Sequence, residues 1–480
     1  MAMEAAAAGA GGLEVVVFPW LAFGHMIPFL ELSKRLAARG HTVSFVSTPR
    51  NLARLPAVPA GLSARLRFVP LHLPAVDGLL EGAEVTSDLP PDKVGLLKKA
   101  MDGLAGPLAA FLAAGRRPDW IVHDFCHHWV PPIADQLKAA LSVFLGPRWA
   151  NAAHPRMEPE HFAETPRWIP FPSTTFFLRH EAQWITDAFR TNASGVSDMD
   201  RWWQVLERSR LTIHRSFFLE RIIHRSCEEL EPRMFGLLSD LFRKPAVPAG
   251  ILLPGAPGDL EEDHRQSSSG SIVRPQVLRW LDDQPPNSVI FVALGSEAPL
   301  TPENAHELAL GLELAGVHFL WALRKPAGTS NDDELLLPAG FEERTRHRGV
   351  VCTGWVPQVE ALAHCATGTF LTHCGWGSTI ESLSSGIPLV MLPFVVDQPL
   401  IARAMVERGI GVEVARDEND GSFDRDGVAV AVRRVMVEEH GKVLATNAKK
   451  LQGVLVDQGR QEHYIDEVES LVEISRKTNI

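Results

Sequence analysis

The sequence has few cysteines, and they form no recognisable motif. The 480 residues include five cysteines, an odd number, with no C-x-x-C pair and no His-rich spacing around them. This pattern predicts neither a disulfide framework nor a zinc site, and it favours a reducing cytosol. The five are Cys126, Cys227, Cys352, Cys365 and Cys374.

Excess positive charge, long apolar runs and a leader-like N-terminus are also lacking. The formal net charge is −11, so nucleic acid is not an expected partner. No apolar run approaches the roughly 18 residues that a membrane span needs. The start, MAMEAAAAGAGG, has no basic region followed by a leucine-rich stretch, which predicts no signal peptide. We therefore expect a cytoplasmic protein without a membrane span, and we expect it to be a monomer.

Length and composition predict more than one domain. A chain of 480 residues with 45% apolar and 22% charged residues is globular in composition but too long for one compact core. After a flexible tail at 1–12, residues 13–250 form the first predicted domain. Strand patterns at 15–18 and 42–46 flank a helical pattern at 27–39, which predicts parallel strands in a doubly wound α/β sheet.

A second doubly wound domain is predicted at 276–460. It follows a polar, acidic and serine-rich segment at 251–275, which we interpret as an interdomain linker. Residues 461–480 have a helical pattern and are expected to pack back across the domains. The predicted strands of this second half are 289–293, 319–324, 349–353, 369–372 and 388–392, with a helix at 302–315 and a surface loop at 329–334.

An aromatic-rich stretch interrupts the first domain. Between 155 and 210 the strand and helix patterns weaken, prolines are frequent, and Trp184, Trp202 and Trp203 follow them. We interpret this stretch as an insertion that lines a pocket.

The second half contains a candidate diphosphate site. A strand at 369–372 leads into the turn Gly375-Trp376-Gly377 and then a helix from Ser378. Such a turn presents backbone N–H groups and a helix N-terminus to an anion, and His373 can add a donor. An alternative for Ser378 is a capping box with Glu381, since S-x-x-E is its signature. The two interpretations are compatible, because Glu381 could also accept from ribose hydroxyls.

Two further groups lie near predicted strand ends, where ligands gather in open α/β folds. Trp355 follows the strand at 349–353 and could stack on a uracil ring, although an isolated Trp is more often core. Asp397 and Gln398 follow the strand at 388–392 and suit paired sugar hydroxyls, although a simple turn explains them equally well.

The first half contains a candidate base. His25 follows the first strand near a helix start, where the helix dipole disfavours the imidazolium form. Asp124 ends another parallel strand, 99 positions away, and could orient the imidazole as in a hydrolase triad. Of the neighbouring His127 and His128, at most one should face the same crevice.

The 44 residues from Trp355 to Gln398 resemble the signature box of plant secondary-metabolite UDP-glycosyltransferases. That resemblance implies the GT-B fold, two facing Rossmann-like domains with an interdomain cleft, and inverting transfer without a metal or other cofactor. It implies His25 and Asp124 as the catalytic pair. Trp20 and Phe23 flank His25 in the sequence, and we expect them to form part of the acceptor wall. The implied donor-binding residues are Ser296, Trp355, Val356, Gln358, His373, Trp376, Gly377, Ser378, Glu381, Asp397 and Gln398.

Within that family, Trp376 and the terminal Gln398 resemble the pattern of glucose-using members. One residue departs from the pattern: the family commonly has Asn at the position of Gly377, so a side-chain contact to phosphate is missing. The expected substrates are UDP-glucose and a small-molecule acceptor.

Segments 20–51, 293–300 and 308–326 resemble the branch that adds sugars to existing glycosides. This implies a diterpenoid (steviol-type), flavonoid or triterpenoid glycoside as acceptor and a 1,2 sugar–sugar linkage. A UDP-rhamnose donor and an aglycone acceptor are the alternatives within the family.

Other classes of protein have weaker support. A metal-dependent GT-A transferase would use an Asp-x-Asp site, and Asp198-Met199-Asp200 is a weak match because it follows a polar loop. The glycines at 9, 11 and 12 precede the first strand instead of following it, which disfavours a dinucleotide-dependent oxidoreductase. A non-catalytic nucleotide-sugar-binding protein would not need His25 and Asp124.

Overall fold

The protein consists of two compact units. The computed structural model describes residues 12–478 apart from 138–139, 146–161, 167–168, 174–175, 212–220, 244, 254–275, 296–297, 325–336 and 355. The first unit comprises Met1–Pro147, Arg190–Ser267 and Gly459–Ile480. The second unit comprises Arg148–Phe189 and Ser268–Gln458.

The first unit contains a seven-stranded sheet with the strand order β3-β2-β1-β4-β5-β6-β7. Every adjacent pair is parallel. The order reverses between β1 and β4, which makes their carboxyl ends the topological switch point of the sheet. The strands are β1 Glu14–Phe18, β2 Thr42–Ser47, β3 Leu66–Pro70, β4 Trp120–Asp124, β5 Ala140–Leu145, β6 Arg221–His224 and β7 Ala246–Pro248.

Helices cover both faces of this sheet. Along β1, Val15 and Val17 pack with helix Phe23–Ala38 in one apolar cluster, whereas Val16 and Phe18 join a second cluster with helix Ala105–Ala114. A strand buried on both faces needs such a continuous apolar run. The described helices of this unit are Phe23–Ala38, Pro49–Arg54, Val94–Asp102, Ala105–Ala114, Val130–Leu137, Asp198–Leu211, Met234–Phe242 and Gln458–Thr478, with short 3₁₀ helices at Ala60–Leu62, Thr86–Asp88 and Pro91–Lys93.

The second unit contains a six-stranded sheet with the order β10-β9-β8-β11-β12-β13. All its pairs are parallel, and the switch point lies between β8 and β11. The strands are β8 Val289–Ala293, β9 His318–Ala322, β10 Gly349–Cys352, β11 Thr367–Thr372, β12 Leu389–Met391 and β13 Gly411–Glu413. The described helices are Arg179–Asp187, Gln276–Asp282, Pro302–Ala315, Phe341–Thr345, Gln358–Ala363, Trp376–Ser385, Gln398–Glu407, Arg425–Met436 and Glu439–Leu455.

The last helix, Gln458–Thr478, joins the first unit. The carboxylate of Glu462 pairs with Arg35 and Arg39, and the Tyr464 hydroxyl donates to Glu229 at 2.8 Å. Because these contacts all lie within the first unit, the chain returns to its first sheet after completing the second.

The fold agrees with most of the predicted elements and differs in two ways. The first helix begins at Phe23, earlier than the predicted 27, and Pro28 lies inside it. The segment Arg148–Phe189 groups with the second unit, whereas the sequence suggested that it belonged to the first domain.

Some predicted features lie outside the described residues. These are the tail at 1–11, the surface loop at 329–334 and most of the linker, from 254 to 275. In the part of the chain that the structure describes, no helix is long and apolar enough to cross a membrane.

Candidate active site

His25 and Asp124 meet at the switch point of the first sheet. His25 lies in the first turn of helix Phe23–Ala38, just after β1, and Asp124 is the last residue of β4. Nδ1 of His25 lies 2.7 Å from Oδ2 of Asp124. The imidazole is 37% exposed, whereas the carboxylate is 1% exposed. The structure therefore joins a solvent-accessible imidazole to a buried carboxylate.

Backbone N–H groups hold the Asp124 carboxylate in place. Trp20 N–H donates to Oδ2 at 3.0 Å, and Phe125 N–H donates to Oδ1 at 2.8 Å. Burial by itself would raise the pKa of Asp124, but the charge and hydrogen bond of His25 lower it, and the net shift is downward. Asp124 is therefore ionised and has little freedom to move.

The other histidines near Asp124 lie in different surroundings. His123 and His127 are fully buried, and burial lowers their pKa values to about 4 and about 3. The His127 ring packs 4.4 Å from that of Phe18. His128 is half-buried, with Nδ1 at 3.2 Å from Nη1 of Arg201. Burial thus removes His127 from the solvent-accessible side, in agreement with the expectation that at most one of the pair faces it.

Trp20 and Phe23 flank His25 and contribute to the core. Trp20 is 4% exposed and packs in an apolar cluster of the first unit. Phe23 is half-buried, with the Arg54 guanidinium 4.7 Å from its ring centroid. Their role in an acceptor wall stays a prediction. The backbone N–H of Trp20, which orients Asp124, was not foreseen, because a backbone donor leaves no signal in residue identity.

The predicted diphosphate turn lies at the switch point of the second sheet. It connects β11 to helix Trp376–Ser385, and Gly375 is the N-cap residue of that helix without a side-chain cap. His373 is buried beside it, and burial lowers its pKa to about 4. A neutral imidazole and an uncapped helix N-terminus suit an anionic ligand.

Two glycines leave room for the His373 ring. A Cβ at Gly375 would lie 2.4 Å from Nε2 of His373, and a Cβ at Gly295 would lie 2.6 Å from the same atom. Gly295 also has a φ of +72°, which most other residues avoid. Both positions therefore require glycine while the imidazole stays where it is.

Three predicted donor residues form one hydrogen-bonded group. The Gln358 amide donates to Oγ of Ser378 at 3.1 Å and to Oε2 of Glu381 at 2.7 Å. Gln358 begins helix Gln358–Ala363, whereas the other two lie on helix Trp376–Ser385. The alternative interpretation of Ser378 and Glu381 as a capping box is wrong, because the helix starts at Trp376 and Ser378 lies inside its first turn.

Asp397 and Gln398 lie at the start of helix Gln398–Glu407, with Asp397 as its N-cap residue. Oε1 of Gln398 accepts from the N–H groups of Phe394 and Val395 at 2.8 and 3.1 Å. Within the described residues, its Nε2 has no acceptor. The Gln398 amide is thus fixed at one end by the loop that precedes it.

The remaining donor-site predictions have varied outcomes. Ser296 and Trp355 lie outside the described residues. Val356 and Trp376 are buried, and Gly377 is the second residue of helix Trp376–Ser385. The structure therefore describes nine of the eleven predicted positions, all in the second unit.

The Asp-x-Asp match has a structural explanation. Both carboxylate oxygens of Asp198 accept from Nζ of Lys98 at 2.6 Å, and Asp198 is the first residue of helix Asp198–Leu211. An acidic residue at this end of a helix also interacts favourably with the helix dipole. The sequence match therefore corresponds to a helix start with an ion pair.

Comparisons with known proteins indicate the family of this chain. The family model described as UDP-glucoronosyl and UDP-glucosyl transferase matches residues 279–460. UDP-glycosyltransferase 91C1 of Arabidopsis thaliana is 40% identical over 466 residues, covering 95% of each chain. Soyasaponin III rhamnosyltransferase of Glycine max is 36% identical, over 95% of this chain and 94% of the relative. Beta-D-glucosyl crocetin beta-1,6-glucosyltransferase of Gardenia jasminoides is 33% identical, over 95% and 97%.

The fold has solved counterparts in the same family. The crystal structure of Arabidopsis thaliana UGT89C1 matches with a TM-score of 0.67 and 25% identity, covering 96% of this chain and 99% of that one. The predicted family and the GT-B fold class are confirmed. Since a relative 40% identical spans 95% of the chain, this protein belongs to the UDP-glucoronosyl and UDP-glucosyl transferase family and is a UDP-glycosyltransferase with the GT-B fold.

Proposed function

We propose that this UDP-glycosyltransferase transfers glucose from UDP-glucose to a sugar hydroxyl of a small-molecule plant glycoside, with inversion at the anomeric carbon. The observation that carries the proposal is the contact of 2.7 Å between His25 and Asp124. It supports catalysis over passive binding, because a nucleotide-sugar sensor needs no oriented base.

The proposed chemistry is a single displacement. The acceptor hydroxyl gives its proton to Nε2 of His25 as its oxygen bonds to the anomeric carbon, and the bond from that carbon to the phosphate oxygen breaks. Asp124 stabilises the imidazolium that forms, since its carboxylate accepts from Nδ1–H. UDP leaves with the bonding electron pair.

The donor is proposed to bind to the second unit. The diphosphate would accept from backbone N–H groups at the start of helix Trp376–Ser385, while Glu381 would accept from the ribose hydroxyls. The role of His373 at the diphosphate stays a prediction from the family pattern. Asp397 and the Nε2 group of Gln398 would bind the hydroxyls of the sugar. The roles of Ser296 and Trp355 at the phosphates and uracil stay predictions from the family pattern, as do Val356, Gly377 and Trp376.

The acceptor class rests on the resemblance and on a relative. Beta-D-glucosyl crocetin beta-1,6-glucosyltransferase is named for an acceptor that already has a sugar, which supports sugar extension here. A steviol-type, flavonoid or triterpenoid glycoside and a 1,2 linkage remain our proposals. UDP-rhamnose is the second candidate donor, because the relative from Glycine max is named a rhamnosyltransferase.

An assay of two sugar donors against a panel of acceptors tests the proposal. The purified enzyme is offered UDP-glucose or UDP-rhamnose with diterpenoid, flavonoid and triterpenoid aglycones and their monoglucosides, and products are identified by mass. We expect glucose to be added to monoglucosides. Activity on aglycones alone would contradict sugar extension, and addition of rhamnose alone would contradict the donor assignment.

The metal dependence of the reaction is tested separately. Full activity in excess EDTA is expected, and its loss would contradict metal-free transfer.

A further inference from the structure

Helix Arg179–Asp187, which comes from the first half of the chain, packs on the helix that begins at Gln398. Helix Arg179–Asp187 contributes Ala182 and Ile185 to an apolar cluster with Leu400 of helix Gln398–Glu407. The cluster also contains Phe162 and Phe177. The start of helix Gln398–Glu407 is thus in contact with an element of distant sequence.

A buried ion pair joins the same two helices. Nη2 of Arg403 donates to Oε2 of Glu181 at 2.7 Å, and the side chains are 10% and 1% exposed. Oε2 of Glu181 also accepts from the N–H of Leu178 at 2.7 Å, at the start of its own helix. The Arg403 guanidinium lies 5.2 Å from the ring centroid of Phe176. The pair therefore fixes both the start of one helix and its position on the other.

The residue before Asp397 is held in a strained conformation. Val396 has a φ of +52°, a left-handed value that is costly for a β-branched residue. It packs against the same apolar cluster, while Gln398 accepts from the N–H groups on the other side of the turn. Such strain persists only where the surroundings determine the backbone conformation.

We propose that Glu181 and Arg403 are positioning residues for recognition of the donor sugar. By fixing helix Gln398–Glu407 and the turn at Val396, the pair holds Asp397 and Gln398 in the geometry that binds the sugar hydroxyls. This inference rests on the proposed sugar-binding role of Asp397 and Gln398. Neither Glu181 nor Arg403 needs to touch the donor.

The test compares the affinity of each variant for UDP-glucose with its affinity for UDP, which keeps the ribose but lacks the glucose that Asp397 and Gln398 are proposed to bind. Calorimetry without an acceptor gives both dissociation constants. In E181Q we expect the constant for UDP-glucose to rise about 3- to 10-fold, as for other residues that act through coupling. The constant for UDP should stay within about twofold, because general loss of structure would weaken both ligands alike.

A double variant separates positioning from stability. Glu181→Leu with Arg403→Met replaces the pair by apolar residues of similar size, which often preserves stability. We expect a modest fall in its melting temperature, because leucine also loses the hydrogen bond from the Leu178 N–H, while the ratio of the two dissociation constants remains raised. A wild-type ratio in this variant would overturn the positioning role. E307Q is the matched control, since it weakens the exposed Glu307–Arg425 pair of the same unit and should leave the ratio unchanged.

Q398A distinguishes failure of this inference from failure of the proposed donor site. If Q398A raises the ratio and the Glu181 variants do not, the positioning role is wrong and the sugar-binding role stands. If Q398A leaves the ratio unchanged, the sugar-binding role is wrong, and the positioning role falls with it.

Discussion

The two sheets place functional groups at the same topological position but build different chemistry there. At the first switch point, a buried carboxylate accepts from an exposed imidazole and two backbone N–H groups. At the second, a buried imidazole with a pKa of about 4 lies beside an uncapped helix N-terminus.

The difference shows that the same position in two parallel sheets can offer different chemistry through burial and local charge alone. An exposed imidazole bonded to a buried carboxylate suits proton transfer, because the carboxylate stabilises the protonated ring. The helix N-terminus at the second switch point suits an anionic ligand, because its backbone N–H groups carry partial positive charge, while the buried imidazole beside it stays neutral near pH 7. Variants at the first switch point should therefore lower turnover, whereas variants at the second should weaken donor binding.

Removing the charge at the first switch point should have the largest effect. D124N keeps the shape of the side chain but cannot stabilise the imidazolium, so we expect kcat to fall by about 10²- to 10⁴-fold. UDP affinity, measured by calorimetry, should not change. D119N is the control, since Asp119 accepts from the N–H of Glu14 at the opposite end of β4. Equal losses in both variants would contradict a specific role for Asp124.

A variant at the second switch point should have lower affinity for the donor. E381A removes the acceptor proposed for the ribose and leaves the Gln358 amide without one partner. We expect KM for UDP-glucose to rise about 10- to 100-fold, the range for hydrogen bonds to a charged group, with a smaller change in kcat. E360A, an exposed position on helix Gln358–Ala363, should behave as wild type. A fall in kcat without a change in KM would count against the ribose contact.

A methyl group should displace the buried imidazole. In G375A, the new Cβ would lie 2.4 Å from Nε2 of His373, so the ring must move. We expect a loss of about 1–3 kcal/mol in unfolding free energy, measured by urea denaturation, together with weaker UDP binding. G453A is the control, because a Cβ placed there has no atom within 4 Å apart from its chain neighbours and its own helix backbone. If G375A is destabilised but binds UDP as tightly as the wild type, His373 does not contribute to UDP binding.

Replacing Gly377, the residue that departs from the family pattern, should have the smallest effect. G377N restores the usual side chain and adds one hydrogen bond to phosphate, worth about 1 kcal/mol, or roughly a fivefold lower KM for UDP-glucose. Steady-state kinetics at saturating acceptor measures it. A raised KM would show that this chain has adapted to glycine at 377.

The sequence predicted local features better than distant ones. The strand, turn and helix around His373 follow one another closely, so their pattern was readable. His25 and Asp124 are 99 positions apart, yet they were paired because each follows or ends a buried parallel strand. The contact between Glu181 and Arg403 spans 222 positions and has no such signal.

Two kinds of detail were beyond the sequence for physical reasons. Backbone groups such as the Trp20 N–H leave no trace in residue identity. The capping-box signature at Ser378 was misleading because the helix begins two residues earlier, at Trp376, and tertiary contact with Gln358 determines where Glu381 points.

The most direct measurement of the central claim combines turnover and UDP binding in H25A. If His25 is the base, kcat should fall by about 10²- to 10⁴-fold, while the dissociation constant for UDP stays unchanged because the proposed donor site lies in the other unit. Unchanged turnover would remove His25 from the mechanism and contradict the account.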